Sequence, residues 1–280
     1  MNNKRKKLLA KTGLYSSYFI ILLFFLFPLF WVVSLSLKTS QELFAVPPRL
    51  IPEHFAFENY LHVLENTGVL YYLKNSAVIV FFTVICALIV AVPAAYAISR
   101  FKFKFKNPVL IGILMTQMIS AVVISIPLYR LFAQLDLLNN YVTLIIVYVA
   151  VVLPFSTWFL KGYFDTIPKA LDEAAIVDGC NRWQVLTRIL IPTSLPGIIS
   201  VTILVAVQSW SQFVIPFILL DDERMYPVSV GVMNLQSTQE SITTHYLAAG
   251  SVLSVLPVIL LFILLQKFIV GALTSGAVKG

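Results

Sequence analysis

The residues best suited to chemistry lie in one polar stretch, Leu171-Asp-Glu-Ala-Ala-Ile-Val-Asp-Gly179, which runs on through Arg188 to Pro192. Glu173 and Asp178 are carboxylates able to accept charge-assisted hydrogen bonds from basic groups on a soluble partner. Ala174 and Ala175 are small enough for another backbone to come close. Gly179 suits a helix C′ position, where positive φ is easiest for glycine. The same stretch also reads as a solvated amphipathic hairpin joining two other helices, and periodicity leaves both readings open. Covalent and metal chemistry have no comparable candidate. His54, His62 and His245 stand in no recognisable partner motif. Cys86 sits in an apolar run and Cys180 in the polar stretch, which makes a disulfide between them implausible and leaves a metal without ligands. No Gly-x-x-x-x-Gly-Lys-Ser/Thr loop occurs, so nucleotide hydrolysis is not expected of this chain.

The elements that position these residues are themselves legible. Pro168 suits a first helical turn, where a missing N–H is no loss. Leu171, Ala174, Ala175 and Asp178 follow at spacings of three and four and predict one face of a short helix. Asn181 with Gln184 resembles a capping box, with Cys180 and Val185 in the flanking staple positions. Trp183, Leu186 and Leu190 predict an apolar stripe on a second helix that Pro192 ends. Two short helices bent at Asp178-Gly179 are therefore expected.

Little else in the chain is soluble. Hydrophobic residues make up 59% of the 280 and charged residues 12%. A helix needs about 20 apolar residues to cross the hydrocarbon core, and six runs meet that length: 14–37, 75–99, 108–129, 141–160, 195–220 and 247–266. None contains Asp, Glu, Lys, Arg or His. The expected fold is an all-α polytopic membrane protein with six transmembrane helices. The first run lacks a small-x-small cleavage site and exceeds a signal-peptide core, so it reads as an uncleaved helix. Fifteen of the 20 Lys and Arg residues fall on the side holding both termini, which the positive-inside rule makes cytoplasmic. The net charge of +7 then reflects topology in a lipid bilayer, not a nucleic-acid partner. Two external segments, 38–74 and 221–246, suit contact with an extracytoplasmic protein or ligand, and equally suit solvated connectors. The second is polar, with Asn234, Gln236, Ser237, Thr238 and Gln239.

Ionisable groups within spans usually mark ion or proton pathways, and their absence argues against a secondary carrier. Gln117, Gln208, Ser209, Trp210, Ser211 and Gln212 are the polar exceptions. Amides and an aromatic face suit sugar hydroxyls and C–H surfaces, which makes Gln208, Trp210 and Gln212 candidates to line a substrate path. Hydrogen bonding between helices is the alternative role.

Glu173-Ala174-Ala175-x-x-Asp178-Gly179, followed by Ile189 and Pro192, resembles the EAA loop of permease subunits in prokaryotic ATP-binding-cassette importers. Cys180 stands where the family has Ala or Ser, Leu186 where Phe is common, and Ile191 where Leu is usual. Ser34-Leu-Ser-Leu-Lys38, Glu58-Asn-Tyr60, Pro93-Ala-Ala-Tyr-Ala97 with Arg100-Phe101, and the ending Gly271-Ala-Leu-Thr-Ser-Gly-Ala-Val-Lys-Gly280 are similar to carbohydrate importers, in particular the smaller permease of the maltose transporter. The resemblance covers nearly the whole chain. It implies a basic N-terminus (1–13), a six-helix transmembrane domain (14–271) with a cytoplasmic coupling loop (162–194), and a C-terminal tail (272–280). It further implies Glu173, Ala174, Ala175, Asp178 and Gly179 as ATPase-coupling residues. The implied partners are a homologous second permease, two copies of a cytoplasmic ABC ATPase that carry ATP and Mg, and an extracytoplasmic sugar-binding protein. No cofactor is expected in this chain. An importer of phosphate or amino acids would share the loop, though not the carbohydrate-type tail.

Overall fold

A bilayer offers no water to free backbone amides, so charge-free apolar runs must satisfy their own hydrogen bonds as helices. In the computed structural model, which describes residues 3–235 and 243–277, every regular element is helical. Side chains are described for 11–235 and 243–266. Residues 1–2, the loop residues Gln236, Ser237, Thr238 and Gln239, and the end of the tail, 278–280, lie outside the described residues. The longest helices are α1 (Asn3–Ser36), α3 (Val69–Arg100), α6 (Tyr141–Thr166) and α13 (Thr244–Ala277). Among the described residues, four helices are long and apolar enough to cross a membrane, or up to six if each of two bent pairs is one span.

Two of the expected spans are not continuous. The run 108–129 is divided into α4 (Lys106–Thr116) and α5 (Ala121–Gln134), bent by 88°. The break has a local cause: Ser120 is extended at φ −65° and ψ 135°, and its side chain accepts the Val122 N–H to start a new helix. The run 195–220 divides into α10 (Leu195–Trp210) and α11 (Val214–Leu219), with residues 211–213 between them.

The chain forms two compact units. The first comprises Met1–Val69 and Val232–Val255. Here the chain leaving α1 is tied down by Asn59, at the start of α2 (Glu58–Asn66), whose side-chain amide donates to the carbonyls of Ser36 and Lys38, both at 2.9 Å. Lys38 itself is buried, donates to the Arg49 carbonyl at 2.6 Å, and lies over the Trp31 ring.

The second unit, Leu70–Gly231 and Leu256–Gly280, carries the polar stretch. Its main core joins Ala87, Ala91 and Ala95 of α3 to Val152, Leu160 and Phe164 of α6 and Val201 and Val205 of α10. Lipid is as apolar as leucine, so close packing of small residues must replace the hydrophobic drive between such helices. Gly197 extends this logic. A Cβ there would lie 2.4 Å from the Tyr163 ring, so α10 and α6 touch through a missing side chain. Leu186 and Leu190 of the polar hairpin join the same cluster.

Candidate functional site

Helix α7 (Ala170–Val177) begins after Pro168 and ends in a Schellman arrangement. The Cys180 N–H donates to the Ala175 carbonyl at 2.9 Å, and the Gly179 N–H to Ile176 at 3.0 Å. Gly179 has φ +88°, the left-handed conformation its place at C′ requires. Asn181 then caps α8 (Arg182–Val185) in a reciprocal capping box with Gln184, at 2.9 and 2.8 Å. The hairpin is thus defined by hydrogen bonds local to the chain.

The four residues that spacing placed on one face of α7 are divided: Ala175 is buried with Asp172, whereas Leu171, Ala174 and Asp178 are exposed. The second helix buries Val185, Leu186 and Leu190, whereas Trp183 is 63% exposed. Nor does Pro192 end that helix. The turn before it widens into a π turn (Leu186–Leu190), with Ile191 N–H donating to Leu186, and α9 (Ile191–Thr193) carries the helix through the proline. The chain bends by 80° only at Ser194, which separates the arginine-bearing hairpin from apolar α10.

Glu173, Ala174, Asp178 and Gly179 share the exposed side of this hairpin with Val177, which is 87% exposed. The acid the sequence reading passed over is Asp172. Its Oδ2 meets Arg100 Nε at 2.5 Å, with side chains 6% and 3% exposed. Arg100 closes α3, where a cation complements the helix dipole. It also donates to the Ile167 carbonyl at 3.1 Å and to Ser99 Oγ at 3.3 Å. Ser99 donates in turn to Asp165 at 2.6 Å, and Lys161 pairs with Asp165 at 2.6 Å. Arg182 of α8 lies 5.7 Å from the Phe101 ring centre. The signal that could have exposed the pair was a basic residue in the last turn of one helix and an acid in the first turn of another.

A second polar locus lies where helices are interrupted. Gln117, from the α4–α5 break, meets Tyr148, Val151 and Val152 of α6, Gln208 and Ser209 of α10, and Ser211 and Gln212 of the following break around a cavity of about 190 Å³. Backbone outside helices at membrane depth must line a cavity or find internal partners, and here both hold. Gln117 Nε2 donates to the Val151 carbonyl at 2.9 Å, one turn before Pro154, while the Gln212 carbonyl accepts Ser229 Oγ at 2.7 Å. Ser209 Oγ is buried and makes no hydrogen bond among the described residues. Of the predicted trio, Gln208 and Gln212 share this cavity. Trp210 does not: it faces an apolar cavity of about 410 Å³ with Phe81 and Pro257. Tyr148 was missed because a tyrosine in an apolar run looks like core.

Residues 84–275 match the family model described as binding-protein-dependent transport system inner membrane component. The chain belongs to this family. The permease is 34% identical to the probable ABC transporter permease protein YurM of Bacillus subtilis, over 99% of this chain and 91% of that protein. It is 32% identical to the trehalose/maltose transport system permease protein MalG of Thermococcus litoralis, over 99% of both chains. Its fold also matches a chain of a bacterial ABC transporter involved in import of the acidic polysaccharide alginate, with a TM-score of 0.79, 23% identity, and coverage of 95% and 98% of the two chains. The permease is therefore a multi-pass subunit of an inner-membrane ABC importer that depends on a binding protein.

Proposed function

We propose that this permease forms half of the translocation pathway for an uncharged sugar or oligosaccharide. Both termini and the hairpin lie in the cytoplasm, in keeping with the clustering of basic residues on that side. A homologous permease supplies the other half, an extracytoplasmic binding protein delivers the sugar, and two copies of a cytoplasmic ATPase hydrolyse ATP. The hairpin acts as the EAA loop: Glu173 and Asp178 accept hydrogen bonds from basic groups of one ATPase, while Ala174, Ala175 and Gly179 admit its backbone.

The observation that carries the sugar reading is the cavity. Three carboxamides, a phenol and two serine hydroxyls converge there, and no acidic or basic side chain is among its lining residues. Such a lining exchanges hydrogen bonds with hydroxyls without desolvating a charge. The relative named for trehalose and maltose supports the same class. A non-sugar neutral solute is the second reading.

The test is to tag the chain in its own host, identify co-purifying proteins by mass spectrometry, and screen the accompanying binding protein against sugars. A second permease, an ATPase and a sugar-retaining binding protein are expected. A chain isolated alone or as a homodimer overturns the reading. In the reconstituted complex, Glu173→Lys or Gly179→Asp is expected to abolish uptake while membrane insertion persists.

A further inference from the structure

Helix α7 is held to the rest of its unit by very little. Its two buried residues are Ala175, which offers one methyl group, and Asp172. The other arm of the hairpin is anchored by Leu186 and Leu190 in the core, and the direct tie of α7 to the helix ends is the Arg100–Asp172 pair, whose partners lie on the last turn of α3 and at the end of α6. An apolar contact can slide, whereas a guanidinium held at Nε, Nη1 and Nη2 by three different groups fixes one register.

The cluster is poorly designed for stability alone. Buried ion pairs are weak stabilisers compared with apolar packing of equal volume. Asp172 Oδ1 is also buried without a hydrogen bond among the described residues. A group of charges retained with an unsatisfied atom needs a role other than filling space.

We propose that Arg100 and Asp172 are a positioning pair: they latch α7 to the ends of α3 and α6, so that the hairpin and those helices move as one body. This rests on α7 being the element that docks on the ATPase. The exposed face of α7 receives the push, and the buried face passes it to α6, which lines the amide-lined cavity, and to α3, which packs against α6. Rigid-body transmission requires the two faces not to slip.

The test uses the whole complex with the ATPase subunits, in a background of Cys86→Ala and Cys180→Ala. Spin labels at Lys169→Cys and Ile89→Cys report the distance from the start of α7 to mid-α3, without nucleotide and with ATP plus vanadate. With the native pair, that distance is expected to change by less than about 2 Å, the scale of a packed-helix shift. In Arg100→Gln/Asp172→Asn, which leaves no unpaired charge, the distribution is expected to widen and become nucleotide-dependent. A separate Val177→Cys variant monitors crosslinking to the ATPase. Crosslinking in both backgrounds, with an unchanged distance in the neutral pair, overturns the latch and leaves the docking assignment standing. No crosslink even with the native pair overturns docking, and the latch with it. If the neutral pair does not assemble, Arg100→Lys, which keeps the charge and loses the fork, is expected to widen the distribution. A distance as sharp as the native one in that variant overturns the proposal.

Discussion

The hairpin and the amide-lined cavity are both polar interruptions in an apolar chain, and they are built by opposite means. The hairpin carries its own instructions within 15 residues: a glycine at φ +88°, an Asn181–Gln184 capping box and three buried aliphatic side chains. The cavity carries almost none, because its wall is assembled from α6, α10 and two separate helix breaks. Under the proposed function, the hairpin surface is shaped by local hydrogen bonds before its partner arrives. The proposed solute path exists only where several helices meet, so its residues are fixed by packing elsewhere.

The sharpest way to break this comparison lies in two adjacent acids. Asp172→Ala strands Arg100 in a buried site, and loss of one partner of such a pair costs about 3–5 kcal/mol. The variant is expected to denature far below the native complex in a thermal scan in detergent. Glu173→Ala removes an exposed side chain and is expected to move stability by no more than about 0.5 kcal/mol. Uptake of the sugar retained by the binding protein is nevertheless expected to fall at least about tenfold, equivalent to about 1.4 kcal/mol of lost docking. If both variants lost stability equally, the division of α7 into a holding face and a docking face would collapse.

Next in size is Gly197→Ala. Its new Cβ would meet the Tyr163 ring at 2.4 to 2.7 Å, and overpacking of this kind costs about 1–3 kcal/mol. The α6–α10 contact flanks both regions, so the loss is expected to appear as a lower melting temperature with the hairpin hydrogen bonds intact. Smaller again is Gly179→Val. No neighbouring atom lies within 4 Å of a Cβ at that position, so the cost is backbone strain alone, about 1–2 kcal/mol. Gly179→Asn, which tolerates the left-handed region, is expected to recover most of the lost uptake. Equal losses in the two variants would show that strain is not the cause.

The difference between the regions also explains what could be read from the chain. Gly179, Asn181 and Gln184 were legible because capping depends on near neighbours. Long helices such as α6 were legible because a charge-free run in a bilayer has few alternatives. The faces of the hairpin were not. Spacing placed Trp183 in one apolar stripe with Leu186 and Leu190, whereas Val185 is buried with those leucines and Trp183 is exposed. Period alone fixes which residues share a face, and the packing partner decides which face turns inward. The break at Ser120 was hidden for a related reason: a serine in an apolar run is as compatible with a buried helix as with an N-cap, and only the extended backbone reveals the cap. Arg100 looked like topology because its partner lies 72 positions away.

The finest test concerns the cavity alone. Gln208 and Gln212 line the cavity, and alanine at either position should change stability by about 0.5 kcal/mol or less. Their effect is expected on uptake, as a several-fold rise in the sugar concentration needed for half-maximal rate, with ATPase assembly unchanged. Gln117→Ala should behave differently, because Gln117 also holds the Val151 carbonyl across the α4–α5 break. Loss of that bond is expected to destabilise the permease by about 1 kcal/mol, measured as a shift in thermal unfolding. If Gln208→Ala and Gln212→Ala left both sugar preference and rate untouched, the amides would be bonding groups between helices. The path would then have to be sought on another face of α6 and α10.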